Sequence, residues 1–279
     1  MTMRLPTLLL LGVTLAGCAS NPPPATPTPG RPTPEAPGAP PSRVVLATDY
    51  RARVVVDRRD SVVLTLPDGG RQVQRMSRHA RFSLTVERDG DLRIRLDSVA
   101  YTPAAGANLR EAFGTNWTAR LTPGEGVTDL RSDRRGPVAL ELGETLRALL
   151  PAVGREGIST GATWRDTTRS RRQVEIFEAQ DERISTWTAG RNTTRDGVVL
   201  LPLVRTSSYT QLGEGSQAGR TMRMSSEGRS TITYYLTAGG LVDEITMVDD
   251  ASRLITIPST RQAIPTTQSV RVRVGFEYP

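Results

Sequence analysis

Histidine and cysteine carry much of the acid–base, nucleophilic and metal chemistry of proteins, and this 279-residue chain has one of each, His79 and Cys18. A Ser-His-Asp arrangement needs its histidine free to take up a proton. His79 stands in "MSRHARF", beside Arg78 and near Arg81, whose charges oppose protonation; it reads as a surface or strand-face residue. The nucleophile pattern G-x-S-x-G is missed by both "EGIST" and "GEGSQAG". Zinc needs several His or Cys ligands, which the chain does not have. Calcium needs clustered oxygens, and "TMVDDAS" brings Asp249 and Asp250 together without the EF-hand glycine and glutamate, so it reads as a turn. "PDGGRQ" (67–72) and "GEGSQAG" (213–219) are glycine-rich, but neither joins a strand to a helix, so loops rather than phosphate cradles are predicted. Glu175 and Glu178 could form a glycosidase carboxylate pair, yet a chain with 29 acidic residues offers many such spacings. Trp117, Trp164 and Trp187 could line a sugar or lipid cleft, although tryptophans in strands more often belong to the core. The residue types thus predict no catalytic site, no metal and no cofactor, and leave ligand-binding residues unassigned.

Cys18 has a different setting. The chain opens "MTMRLPTLLLLGVTLAGC", with Arg4 as a positive start, an apolar run from Leu5 to Leu15, and the small residues Ala16 and Gly17. This run is too short to span a bilayer, which takes about 20 apolar residues, and reads as a cleaved signal peptide over residues 1–17. Leu15-Ala16-Gly17-Cys18 resembles the lipobox of bacterial lipoproteins. That resemblance implies a diacylglycerol on the Cys18 sulfur, cleavage before Cys18, and an acyl chain on the new amine. Two or three chains hold a protein on a membrane stably, at about 0.8 kcal/mol per buried methylene. Ala19 rather than aspartate follows the cysteine, which resembles outer-membrane sorting in Gram-negative cells. An acylated Cys18 leaves no thiol for disulfides or thiolate metal sites.

Residues 18–42 form the lipidated cysteine and a linker, "ASNPPPATPTPGRPTPEAPGAPPS" after Cys18, which is proline-rich and has almost nothing to bury. Such a segment is an extended spacer. All 36 basic residues are arginine and the formal net charge is +7. The arginines are scattered along the sequence, and an exported protein does not meet nucleic acid, so no nucleic-acid partner is expected. An acidic lipid headgroup is the partner that such a basic surface suits. "RSRR" at 169–172 is the densest group and reads as a solvated strand end.

From Arg43 onward the pattern has period two. Tyr50, Ala52, Val54 and Val56 fall on one side of a strand. Phe82, Leu84 and Val86, an Asp89-Gly90 turn, and Leu92, Ile94 and Leu96 make a hairpin whose other face carries Arg93 and Arg95. "TITYYLTAGGLVDEITMV" repeats the plan around Gly239-Gly240, and Val270, Val272, Val274 and Phe276 close the chain. "NLREAFG" (108–114) predicts a turn or two of helix. "PVALELGETLRALLPAVG" predicts the main helix, near 137–151, with Leu142, Leu146, Leu149 and Leu150 at helical spacing and Pro151 as the stop. It joins two strand-rich halves, roughly 43–133 and 159–279.

The expected fold is mainly β (α+β): a large curved antiparallel sheet or half-barrel with one main helix packed against it, all within residues 43–279. The order of parts, with "STGATWRDT" (159–167) and its Gly161 and Trp164 after the helix, is similar to uncharacterised bacterial lipoproteins and, more distantly, to the lipoprotein-carrier and lipid-carrier half-barrels of cell envelopes. That resemblance implies an apolar concavity able to hold acyl chains. The expected function is therefore a non-enzymatic envelope lipoprotein, anchored through acylated Cys18, that binds a lipid or other apolar ligand. The alternatives are an assembly lipoprotein that docks an envelope protein partner through its sheet, and a hydrolase with an unidentified site.

Overall fold

The structure is a computed structural model that describes residues 43–66, 69–103, 109–174, 176–217 and 219–279. The signal segment, Cys18 and the proline-rich linker lie outside the described residues. The described residues form one compact unit.

The strands run β1 (Tyr50–Thr65), β2 (Arg71–Val86), β3 (Asp91–Thr102), β4 (Asn116–Thr122), β5 (Gly126–Ser132), β6 (Thr163–Val174), β7 (Phe177–Ala189), β8 (Thr193–Arg195), β9 (Val198–Gln217), β10 (Arg220–Thr237), β11 (Val242–Ile257) and β12 (Gln262–Glu277). A single turn of helix, α1 (Leu109–Ala112), precedes β4, and the main helix, α2 (Pro137–Arg147), lies between β5 and β6. The described strands form one antiparallel sheet in the order β5-β4-β3-β2-β1-β12-β11-β10-β9-β7-β6, with β8 paired to β9. It is an open, curved sheet with one main helix, as the alternation predicts.

Two strand-rich halves become one sheet because the first and last strands pair. β1 and β12 are in register from Arg53–Glu277 to Leu64–Thr266. This pairing leaves β5 and β6 at opposite edges of the sheet, so the chain between them must travel from edge to edge. It does so as α2. Leu142, Leu146 and Leu149 are fully buried in the same core as Phe82, Ile94 and Trp117 of β2–β4 and Leu203, Tyr234 and Ile245 of β9–β11. The connection and the core filler are one element. Each fully buried leucine contributes about 1.5–3 kcal/mol. Leu146→Ala is expected to lower stability by about 2–5 kcal/mol, read as a lower urea midpoint with an unchanged slope.

Several local expectations change. The helix ends at Arg147, short of the predicted 151, and Leu149 and Leu150 are buried beyond its end. Pro151, which lacks an N–H and disfavours helical backbone at Leu150, stands just beyond the stop. "TMVDDAS" is the middle of β11 and not a turn, because Asp249 pairs with Ser230 and Val270 in an unbroken ladder. Residues 213–217 of the glycine-rich stretch belong to β9 and not to a loop. A Cβ on Gly215 would lie 2.4 Å from the Ile176 carbonyl oxygen, so the glycine permits close approach of β7. The hairpin at Asp89-Gly90 and the turn at Gly239-Gly240 are where the sequence places them.

Candidate functional site

The inner face of the sheet, the one that α2 covers, changes character along the strands. Counting in steps of two from Ala52, Val54 and Val56 leads to Arg58 and Asp60, still facing inward. The same step on β2 leads from Phe82 and Ala80 to Arg78. On β9 it leads from Leu203 to Arg205, Ser207, Tyr209 and Gln211. Beyond the helix-covered core lies a buried polar belt.

Its first part joins the sheet to the helix. The Arg78 side chain is 1% exposed and pairs with Glu141 of α2. The Tyr101 hydroxyl donates to Glu141 Oε2 at 3.1 Å, and the Arg78 guanidinium lies 5.0 Å from the Tyr101 ring centroid. Arg58, opposite Arg78 in the ladder, is held by Asp60, with Nε and Nη2 donating to its carboxylate at 2.8–3.0 Å. Burial and then the Arg58 charge bring the Arg78 pKa down to about 10, so the guanidinium stays charged at neutral pH. Burial raises the Tyr101 pKa.

The second part spans β7 to β11. The Tyr209 hydroxyl donates to Asp249 Oδ1 at 2.7 Å, two strands away. It reaches across Gly228, where a Cβ would lie 2.3 Å from the Tyr209 ring. Arg183 stacks over the same ring at 4.5 Å and donates to Ser230 Oγ at 3.0 Å. Gln211 Nε2 donates to Asp181 at 2.9 Å, and the Ser185 and Ser207 hydroxyls are bonded at 3.0 Å. These groups find partners on other strands, as burial demands, whereas the buried Arg205 Nε has no hydrogen-bond partner and its guanidinium lies over the Trp187 ring at 5.2 Å.

Burial outweighs the Tyr209 hydrogen bond at Asp249 and raises its pKa. A carboxyl group with a raised native pKa binds its proton more readily folded than unfolded. Stability therefore falls as pH rises from the ordinary aspartate range through the native pKa. Asp249→Asn removes that penalty. The variant is expected to be the more stable protein at pH 7, with the gain disappearing in acid below the ordinary aspartate range. Urea midpoints across pH test this, and a constant difference at all pH values contradicts it.

The residues that sequence analysis singled out do not converge. His79 lies on the outer face of β2, bonded through Nδ1 to Asp57 Oδ1 at 2.8 Å, opposite to the buried belt. This is the strand-face position predicted. Glu175 lies outside the described residues, and Glu178 pairs at 3.7 Å with Arg171. The described residues of "RSRR" sit in the edge strand β6, with Arg169 Nη2 3.1 Å from Glu182. Among the described residues no three His, Cys, Asp or Glu side chains cluster as metal ligands. Trp117 is core, edge-on to Phe82 at 6.1 Å between ring centroids. Trp187 is 1% exposed, stacked on Trp164 at 5.6 Å and on Tyr234 at 6.0 Å, and its Nε1 donates to Asp166 at 2.7 Å.

The outer face presents two open depressions on the long ribbon formed by β6–β12. One, of about 820 Å³, is lined by Ile184, Ser208, Thr210, Arg229 and Asp250, among others. The other, of about 630 Å³, is lined by Leu212, Leu254, Arg223 and Glu214, among others. Ile184, Leu212 and Leu254 are 50%, 63% and 41% exposed.

No protein-family model matches the chain, and no curated protein matches it. Among solved structures, OccK8 (OprE) of Pseudomonas aeruginosa aligns over 83% of this chain and 100% of its own, at 7% identity and a TM-score of 0.23. A score that low carries no argument about fold or function.

Proposed function

We propose that this chain is a lipid-anchored, non-enzymatic envelope protein that docks a protein partner through the outer face of its sheet. One observation carries the docking. The apolar side chains of Ile184, Leu212 and Leu254, which a strand would bury if they were for folding, stand exposed in two neighbouring depressions rimmed by charged and hydroxyl residues. Apolar anchors within a polar rim are the composition of a non-obligate protein interface. The anchoring rests on the lipobox, and the absence of aspartate after Cys18 favours the outer membrane where the cell has one.

A lipid carried in the concavity is the second reading, favoured by the lipid-carrier resemblance. On the inner face, α2 occupies the place an acyl chain would take, with Leu142 and Leu146 fully buried. Carriage requires α2 to move aside. Intact mass of the membrane-extracted protein tests the anchor: the expected species begins at Cys18 and carries two or three acyl chains. Native mass spectrometry tests carriage. Docking predicts protein without bound lipid, and a stoichiometric lipid adduct sustains the second reading instead.

A further inference from the structure

The arginines that look scattered in sequence are gathered by strand register. On the outer face, one row across five strands reads Arg131 (β5), Thr118 (β4), Arg93 (β3), Thr85 (β2) and Arg51 (β1). The next row reads Asn116, Arg95, Ser83 and Arg53. Arginine occupies alternate strands, with a hydroxyl or amide residue between. Neighbouring strands are about 4.8 Å apart and alternate residues about 6.8 Å apart, so the arginine positions stand about 10 Å apart across the sheet and about 7 Å apart along it. Four carboxylates border the rows: Glu87 lies 3.8 Å from Arg93 and Glu277 3.5 Å from Arg53, while Asp97 accepts from Ser83 Oγ at 2.7 Å and Asp133 from Asn116 Nδ2 at 2.8 Å. Arg51, Arg95 and Arg131 are exposed and have no ion-pair partner among the described residues.

Strand positions this far apart suit several separate anions better than one small ligand. The array also lies at the strand end where the chain enters the fold. Val44 bridges to Ile158, the Ala47 N–H donates to the Gly240 carbonyl, and Arg51 follows at the start of β1. We infer that this arginine array rests on the anionic headgroups of the membrane to which the chain is tethered, an inference that builds on the anchored reading above. The 24 residues between Cys18 and Arg43 reach about 75 Å when extended, at about 3.1 Å each, so the tether permits the contact without forcing it. Charge contact with the headgroups supplies what the tether does not, an orientation.

The test uses the full chain with Cys18→Ser, which cannot be acylated, so it is independent of whether the anchor forms. Cosedimentation is measured with vesicles of phosphatidylglycerol and phosphatidylcholine and with vesicles of phosphatidylcholine alone. Any partitioning of the apolar leader is common to both, and the difference reads the array. A basic residue at an anionic surface contributes about fivefold. The expected preference for anionic vesicles is at least about tenfold, is abolished by high salt, and falls to the neutral-vesicle level in the Arg51→Gln, Arg93→Gln, Arg95→Gln, Arg131→Gln variant. All four side chains are exposed, and an unchanged near-ultraviolet spectrum verifies the fold. Equal binding to both vesicles overturns the inference, as does a preference that survives the four substitutions. Binding to a soluble polyanion such as heparin without binding to anionic vesicles overturns it too.

Discussion

Glu141→Ala is expected to lower stability by about 3 kcal/mol, the lower end of the range for breaking a buried ion pair. The lower end applies because Glu141 is itself 34% exposed, whereas its partner Arg78 is 1% exposed. Removing the carboxylate leaves a guanidinium that burial already disfavours, beside the Tyr101 ring and the Arg58 charge, with Asp60 bonded to Arg58. The loss falls at the junction of α2 and the sheet. Helix amides should therefore lose hydrogen-exchange protection before those of β10 or β11. The double variant Arg78→Met, Glu141→Leu is expected to recover most of the loss, since apolar side chains of similar size need no partner. If Glu141→Ala alone is neutral in urea denaturation, the ion pair does not clamp the helix.

Trp187→Ala is expected to cost about 3–5 kcal/mol, the range for emptying a buried aromatic site. Trp187 lies between Trp164 and Tyr234 with its ring 5.2 Å from the Arg205 guanidinium, so its removal opens a cavity touched by three further side chains. It also removes the hydrogen bond that Trp187 Nε1 donates to Asp166. Trp187→Phe should keep part of the packing and lose that bond, giving an intermediate urea midpoint. The parallel Trp164–Trp187 pair, 5° apart in plane angle, should give a near-ultraviolet circular dichroism band that vanishes in both variants. Wild-type stability in the alanine variant contradicts the packing described.

How much of this was legible in the sequence depends on the half of the strand considered. Where one face is apolar, as in Phe82, Leu84 and Val86 against Leu92, Ile94 and Leu96, alternation declares the strand, its turn and its buried side. Where the buried face turns polar, alternation of hydropathy disappears and the strand becomes invisible. Asp249 and Asp250 looked like a turn for that reason, and β1 and β2 looked shorter than they are. Continuing the phase from Val54 and Val56 to Arg58 and Asp60 was the available signal for the polar belt. Tyr209, Gly228 and Asp249 could not have been grouped, because only the register of three strands brings them together. The outer-face arginines show the same limit. Arg51, Arg93 and Arg131 are far apart in the chain, and pairing puts them in one row.

A protein with this architecture need not be hollow. Its edge strands β5 and β6 are consecutive in chain order around α2, and the helix between them fills the concavity with Leu142 and Leu146. The outer face is then what remains for a partner, and there Ile184, Leu212 and Leu254 are the exposed large apolar side chains that lie in the two depressions.

Site-specific photocrosslinking in intact envelopes tests that claim most directly. A photoreactive residue at position 184, 212 or 254 is predicted to yield one discrete protein adduct, and the same probe at the exposed Val73, outside both depressions, is predicted to yield none. Adducts with lipid alone, or the same products from all four positions, would contradict docking through the outer face.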